Sequence, residues 1–345
     1  MNSSASLPKV SIIIPNWNGK RFLEECFDSL QRQTFTNFEV VFVDNGSTDG
    51  SGDWMESRYG HWVRIVRNSK NLGFAEGNNV GIRLARGKYI VLLNNDTVVD
   101  PRWLEELIKP VEADPGVGMC ASKVLSHHQP EVLEGTGGLL FRDGLNRARG
   151  HLEVDRGQYD LDVEIFYPPG CGALYRKEML DEVGFLDEDF FAYGEDTDLG
   201  IRGRLAGWKC VYVPLAIIYH KGSGSTGRYS PFKAFHVERN RVWVAVKLFP
   251  LHLLILNPFY TLLRLFFQGY GALTHRGAAG QYTREYSLFS LFWILLKAYG
   301  SAMKFIFRMW RKRKAIQKSK KVQNKDFLDW LRRYGISARK IALMN

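Results

Sequence analysis

Short runs of Val, Ile, Leu and Phe at residues 10–15, 38–43, 63–66 and 89–93 alternate with segments of helical apolar spacing, such as 21–33 and 75–85. The rhythm is strand, helix, strand. Runs that are apolar throughout predict strands covered on both faces, and so an α/β fold with a mixed, mostly parallel sheet and helices on both sides. In such sheets ligands collect outside the carboxyl ends of the strands. The residues there are Pro15, Asn16, Trp17 and Asn18 after the first run, Asp44 and Asn45 after the second, and Asn94, Asn95 and Asp96 after the fourth. They are expected to line one crevice.

The periodicity weakens between residues 124 and 167, where Gly and polar residues (GTGGLLFRDGLNRARG) predict a hairpin and a long loop. Beyond it, Tyr193, Gly194, Glu195, Asp196 and Asp198 precede a helical run at 199–206, and His220 closes a short apolar strand at 216–219. From about residue 239 long apolar runs are broken by Pro250, Pro258, Arg264 and Lys297. The longest uncharged stretch, 248–263, falls short of the roughly 20 apolar residues of a spanning helix. Amphipathic helices lying in the membrane plane, or re-entrant ones, are expected instead. A basic cluster follows, with Arg308, Arg311, Lys312, Arg313, Lys314, Lys318, Lys320 and Lys321.

Charge sharpens this division. Residues 1–235 carry 26 Lys and Arg against 32 Asp and Glu, and residues 236–345 carry 21 against 4, within a net charge of +11. A basic surface confined to the last third, after apolar helices, points to anionic membrane lipid and not to nucleic acid. Cys26, Cys120, Cys171 and Cys210 form no C-x-x-C pair and are expected as reduced core residues. Residues 1–9 are polar and run directly into a strand, with no apolar signal segment. The chain is therefore expected at the cytoplasmic face of the cell membrane, peripheral or monotopic.

Four segments, VSIIIPNWNG, VVFVDNGSTDGS, NLGFAEGNNVGIRLARGKYIVLLNNDT and GCGALYRKEMLDEVGFLDEDFFAYGEDTDLGIRGRLAGWK, resemble in order and spacing the family 2 glycosyltransferases of the GT-A fold. Within that family they are most similar to the rhamnosyltransferase-like group. The resemblance covers residues 10 to about 222 and implies a catalytic domain over 1–235, with 236–345 as a helical membrane-association region. It implies that Asp44 binds the base of a nucleotide-sugar donor, assisted by Pro15, Trp17, Asn18, Asn71, Gly73, Asn78, Asn94 and Asn95. Of Asn78 and Asn79, at least one is expected to be structural.

By the same resemblance Asp96 holds Mg2+ or Mn2+, with His220 as a second ligand. Asn94 stands where relatives carry the first Asp of Asp-x-Asp, so the site is less acidic than usual. Asp196 is the implied general base, with Glu195 as its neighbour or substitute. Capping of the following helix is an alternative role for these acids. Gly170, Cys171 and Gly172 resemble a small-residue turn that admits sugar, and 222–227, with Lys221 or Arg228, a loop over the diphosphate. The implied activity is inverting transfer of a sugar, with L-rhamnose from dTDP-rhamnose foremost, to a lipid-linked saccharide acceptor in cell-surface polysaccharide synthesis. Alternatives are a UDP- or GDP-sugar donor, a nucleotidyltransferase, for which the Gly-rich, Arg-containing loop after the first strand is missing, and a lipid-binding scaffold.

Overall fold

Ile12 and Ile14 face one side of the first strand and Ile13 the other, and all three are fully buried. The structure, a computed structural model, describes residues 7–222 and 229–344. The chain starts β1 (Val10–Asn16), α1 (Lys20–Gln31), β2 (Phe38–Asp44), α2 (Ser51–Tyr59), β3 (Val63–Arg67), α3 (Gly73–Leu84), β4 (Tyr89–Leu92), β5 (Thr97–Val99) and α4 (Trp103–Ala113). It continues with β6 (Val117–Ser126), β7 (Leu133–Gly135), β8 (Gly138–Leu140), β9 (Asn146–Ala148), β10 (Ala173–Arg176), α5 (Lys177–Val183), a 3-10 turn (Glu188–Phe190), α6 (Glu195–Leu205) and β11 (Lys209–His220). Seven helices complete it: α7 (Pro231–Leu248), α8 (Leu251–Leu273), α9 (Gly277–Glu285), α10 (Leu288–Lys304), α11 (Ile306–Ser319), α12 (Asn324–Arg333) and α13 (Ala338–Leu343).

The main sheet has the order β3-β2-β1-β4-β10-β6-β11-β5, with β7 on the outer end of β6. β3, β2, β1 and β4 are parallel, β10 runs against both of its neighbours, β6 and β11 are parallel, and β5 pairs antiparallel with β11. The chain leaves β1 for β2 on one side and returns to β4 on the other. This reversal opens a crevice at the carboxyl ends of β1 and β4. The expected hairpin is β8 with β9, and the long loop runs from it to β10.

The helices cover both faces because their apolar residues recur at helical spacing. In α1, Leu23, Cys26, Phe27 and Leu30 are buried against Phe42 and Tyr59. Each such side chain contributes about 1.5–3 kcal/mol over an exposed one. Cys120 and Cys210 are buried free thiols like Cys26, and Cys171 is partly buried.

The boundary expected after residue 235 falls inside α7. Trp243, Val244, Leu248 and Phe249 pack with Phe166, Phe190, Ile201 and Leu205 of the preceding part in one core. Arg264, which reads in sequence as a break in an apolar run, is fully buried in α8. Its guanidinium lies 2.6 Å from Asp143 and 2.8 Å from Glu238, and Arg241 lies 2.8 Å from the same Glu238. Burial alone would raise the Glu238 carboxyl, but the two guanidiniums bring it down to about 2.

Half of the basic cluster is engaged within the protein, although Arg308 and Lys321 stay exposed. Lys312 pairs with Asp187 and Asp189, Arg308 with Asp189, and Lys321 with Glu182, while buried Arg313 donates to the carbonyls of Val246 and Phe249. Arg311, Lys314 and Lys318 are exposed. No single described helix is long and apolar enough to cross a membrane; α10 and α11 together reach that length, bent by 57°.

Candidate active site

Asn16, at the end of β1 and 1% exposed, ties three loops together. Its amide donates to Ser47 Oγ (3.2 Å) and Ser51 Oγ (2.9 Å), and its carbonyl oxygen accepts from Asn95 Nδ2 (2.5 Å). Asn45 does the same one strand over: it donates to Asn71 Oδ1 and the Gly73 carbonyl, and accepts from Asn68 Nδ2 and Leu72 N. The residues expected after β1, β2 and β4 are thus gathered at one end of the sheet, and Asn16 and Asn45 are the pins.

Asp44 uses Oδ1 to close an Asx turn on Ser47 N (3.1 Å). A Cβ at Gly52 would stand 2.5 Å from its Oδ2, so glycine keeps that face of the carboxylate accessible to α2 only at close range. Trp17 is 40% exposed at the rim, where a ring can stack on a ligand. Pro15 is buried behind it. Asn18 has a left-handed backbone (φ 51°), and its side-chain oxygen accepts from Thr48 N at 2.7 Å, so it shapes the loop. Asn71 accepts from Gly73 N (2.8 Å). Gly73 has φ +85°, and a Cβ there would lie 2.6 Å from the Phe191 carbonyl oxygen and ring. The loop that starts α3 therefore presses directly on the loop that carries the acids.

Asn78 does not reach the crevice surface. It is fully buried, donates to the Phe74 carbonyl and leaves Oδ1 without a partner. Asn79 is the structural one, exchanging hydrogen bonds with the backbone of Leu186 (2.8 and 3.1 Å).

Asp96 and His220 are brought together by strand pairing, since His220 stands opposite Thr97 in the β11–β5 ladder. Asp96 Oδ1 lies 3.2 Å from His220 Nε2, and Glu134 Oε2 lies 2.6 Å from Nδ1. Burial would lower the imidazole pKa, but the bonds to Asp96 and Glu134 push it up to about 10. A carboxylate on the far nitrogen fixes ring orientation and makes Nε2 a better donor to metal. Asn94, two residues before Asp96, has a buried Oδ1 that accepts no hydrogen bond. A carboxylate, an imidazole nitrogen and an unsatisfied amide oxygen are a donor set that fits a divalent cation such as Mn2+ or Mg2+.

Among the described residues a second acidic group has metal-like spacing, Asp187, Glu188 and Asp189. Lys247, Lys312 and Arg308 already neutralise it.

The acids at 195 and 196 open α6, so the helix begins four residues earlier than the sequence pattern suggests. Asp196 is partly exposed, and its Oδ2 accepts from Gly170 N (3.0 Å) and its Oδ1 from Thr197 N (2.6 Å). Burial raises its pKa against those hydrogen bonds. Glu195 is 5% exposed, with Oε2 unpartnered. Burial first, and the Asp196 charge second, push it up to about 8. Asp198 is fully buried against Arg202 and Lys247, which gives it a structural role.

The preceding turn is strained. Phe191, Tyr193 and Gly194 have φ of 63°, 69° and 88°. Asn240 of α7 holds it by donating to the carbonyls of Phe190, Ala192 and Tyr193 at 2.9, 2.9 and 2.7 Å. Glu134 and Asn240 lie outside the motifs, and nothing local in the sequence marks either. The Gly170–Gly172 turn joins the two halves of the site: Gly170 bonds Asp196, and Gly172 N bonds the Leu92 carbonyl two residues before Asn94. Trp208 packs at the core edge. The loop expected over a diphosphate, with Arg228, lies outside the described residues except for Gly222, and Lys221 Nζ is 2.6 Å from Glu25.

The family described as "Glycosyl transferase family 2" matches residues 11–184. The chain belongs to glycosyl transferase family 2. Glycosyltransferase GlyG of Streptococcus pneumoniae serotype 4 is 32% identical over 237 residues, covering 64% of this chain and 73% of that protein. An uncharacterized glycosyltransferase, EpsJ, of Bacillus subtilis is 38% identical over 201 residues, 56% of each chain. The O-antigen biosynthesis protein RfbC of Myxococcus xanthus is 28% identical over 63% of this chain, which spans only 18% of RfbC.

Among solved structures, a mannosyltransferase of Pyrobaculum calidifontis, described in complex with GDP-Man and Mn2+, superposes with a TM-score of 0.52 at 20% identity, over 93% of this chain and 88% of its own. GalNAc-T7, described with UDP, GalNAc and Mn2+, gives 0.55 at 18% identity over 70% of this chain and 48% of its own. These likenesses establish the GT-A fold of the family 2 chain.

Proposed function

We propose that this family 2 chain is an inverting glycosyltransferase that moves a sugar from a nucleoside diphosphate to a hydroxyl of a lipid-linked saccharide, at the cytoplasmic face of a membrane, in cell-surface polysaccharide synthesis. The observation that supports the reading is the Gly170–Gly172 turn, which hydrogen-bonds the Asp196 carboxylate through Gly170 N and the strand before Asn94 through Gly172 N. Asp44 and Trp17 receive the base. Asp96 and His220, with the buried, unpartnered Asn94 Oδ1, would hold a divalent cation, which when bound would offset charge on the departing diphosphate.

Asp196 takes the proton from the acceptor hydroxyl as its oxygen attacks the anomeric carbon. The bond from that carbon to the diphosphate breaks, and the single displacement inverts configuration. Glu195, held at about 8 by burial and by Asp196, keeps its proton at neutral pH and leaves Asp196 as the carboxylate that accepts.

The donor of first choice is dTDP-rhamnose, on motif likeness and on the relative named for O-antigen biosynthesis. UDP- and GDP-sugars are the alternatives, in keeping with the nucleotides named for the two solved structures. Purified full-length protein is to be screened for nucleoside diphosphate release with dTDP-, UDP- and GDP-sugars, with and without Mn2+. Release from dTDP-rhamnose is expected; preference for another sugar would replace the donor, and release of pyrophosphate would replace the reaction class.

A further inference from the structure

Asp196 and Glu195 also form one end of a cavity of about 850 Å³ that extends away from the sheet into the C-terminal helices. Its near end is polar, with Asn146, Tyr193 and Lys233 beside the acids. The Lys233 ammonium lies 5.4 Å above the Tyr193 ring, and Arg147 donates to the Met344 carbonyl at 3.0 Å, so the near end carries cations as well. Its far end is apolar, walled by Leu265 and Ala272 of α8, Ala279 of α9, and Leu291, Phe292 and Leu295 of α10. The volume is that of a small-molecule site.

The helices that build the far end are apolar on the outside too. Leu262 and Phe266 of α8, and Phe289, Trp293 and Leu296 of α10, are 67%, 71%, 76%, 50% and 47% exposed. Helices apolar on both faces need an apolar medium on both. An exposed apolar band of this extent marks a membrane or partner surface, and the cavity continues that surface inward to the base. Gly269 stands where the cavity opens to the surface: it lines the cavity, is exposed, and a Cβ added there meets no atom within 4 Å.

We propose that this cavity binds the hydrocarbon chain of the acceptor, a lipid phosphate or diphosphate carrying a short saccharide. The chain enters from the membrane side among α8, α9 and α10, its phosphates lie at the cationic near end, and its sugar hydroxyl reaches Asp196. The inference rests on the assignment of Asp196 as the acceptor-side base. Because apolar wall and base share one cavity, the saccharide between lipid and reacting hydroxyl is short, and free oligosaccharides lacking a lipid are poor acceptors.

The test uses full-length protein in phospholipid nanodiscs and farnesyl diphosphate bearing a diazirine at the far end of its chain. Photolabelling, mapped by mass spectrometry, is expected on Leu265, Leu291 or Leu295. Gly269→Trp is expected to cut that labelling about ten-fold, equivalent to the loss of roughly 1.4 kcal/mol of binding. Gly269→Leu serves as a milder plug, and both fill space that is vacant. Gly300→Trp, in α10, likewise with no atom near its Cβ but outside the cavity, is expected to label like wild type.

Label confined to the outer residues Phe266, Phe289 and Trp293, equally in all variants, would reduce the feature to membrane contact and overturn the proposal. Displacement of cavity label by added phosphatidylglycerol vesicles at the same lipid concentration as the probe would overturn it in favour of a structural phospholipid. The readout involves no sugar transfer. A failed donor screen with positive labelling therefore sinks the activity, and the reverse pattern sinks only the lipid site.

Discussion

Glu195 and Asp196 are adjacent in the chain, the first buried and the second partly exposed, and burial raises the pKa of both. Asp196→Asn is expected to lower kcat by about 10²–10⁴-fold with little change in donor KM, measured by nucleoside diphosphate release. Glu195 has a folded pKa raised from 4.5 to about 8. Its contribution to stability is therefore fully present below pH 4.5 and is lost as pH rises through about 8. Glu195→Gln keeps a neutral side chain at the same place, so its melting temperature should fall less than that of wild type between about pH 5 and about pH 9. An equal fall in both proteins would refute the assignment. At the other side of the crevice, Glu134→Gln leaves the Asp96–His220 pair in place but weakens the hold on the ring. Mn2+ affinity, followed by electron paramagnetic resonance of the free ion, should drop about 10–100-fold.

At the scale of elements, α7 governs the acid-bearing turn. Asn240→Ala would remove the side-chain donor from the carbonyls of Ala192 and Tyr193 in a strained segment, while the Phe190 carbonyl keeps Arg239. A loss of about 2 kcal/mol is expected from denaturant unfolding, together with a fall in kcat. Gly73→Ala should act on the same turn from the opposite side, by displacing Phe191. The strands were legible in the sequence because those buried on both faces must be apolar throughout, and the acids and amides at their ends stood out against that background. Glu134 was not, because it sits in the three-residue strand β7 and matters only through a ring 86 residues away. Arg264 misled for a related reason: a charge within an apolar helix reads as a surface position until its partners, 121 and 26 residues distant, are known. Asn78 reads as a ligand from motif position, yet a helix turn buries it completely.

Across the whole molecule, the sheet and the C-terminal helices share a core, and the ion pairs of Lys247 and Lys312 with Asp187 cross between them. The last third is thus expected to support folding as well as any lipid contact. A chain ending at residue 235 is expected to be insoluble or to lack a cooperative thermal transition, and a soluble, folded product would show the division to be real. Membrane attachment is better tested by Arg311→Glu, Lys314→Glu and Lys318→Glu together, which change exposed cations alone and should shift the protein from vesicle pellet to supernatant at low salt.

The cage of Arg264, Asp143, Glu238 and Arg241 bears on how such a protein is made. Asp143 and Glu238 leave the ribosome before Arg264 does, so the guanidinium emerges to waiting counter-ions. If α8 instead partitioned into hydrocarbon by itself, it would carry that charge unpaired at a cost of several kcal/mol. Insertion ahead of docking is thereby disfavoured, and the catalytic half acts as a template that keeps an apolar helix out of the translocation route.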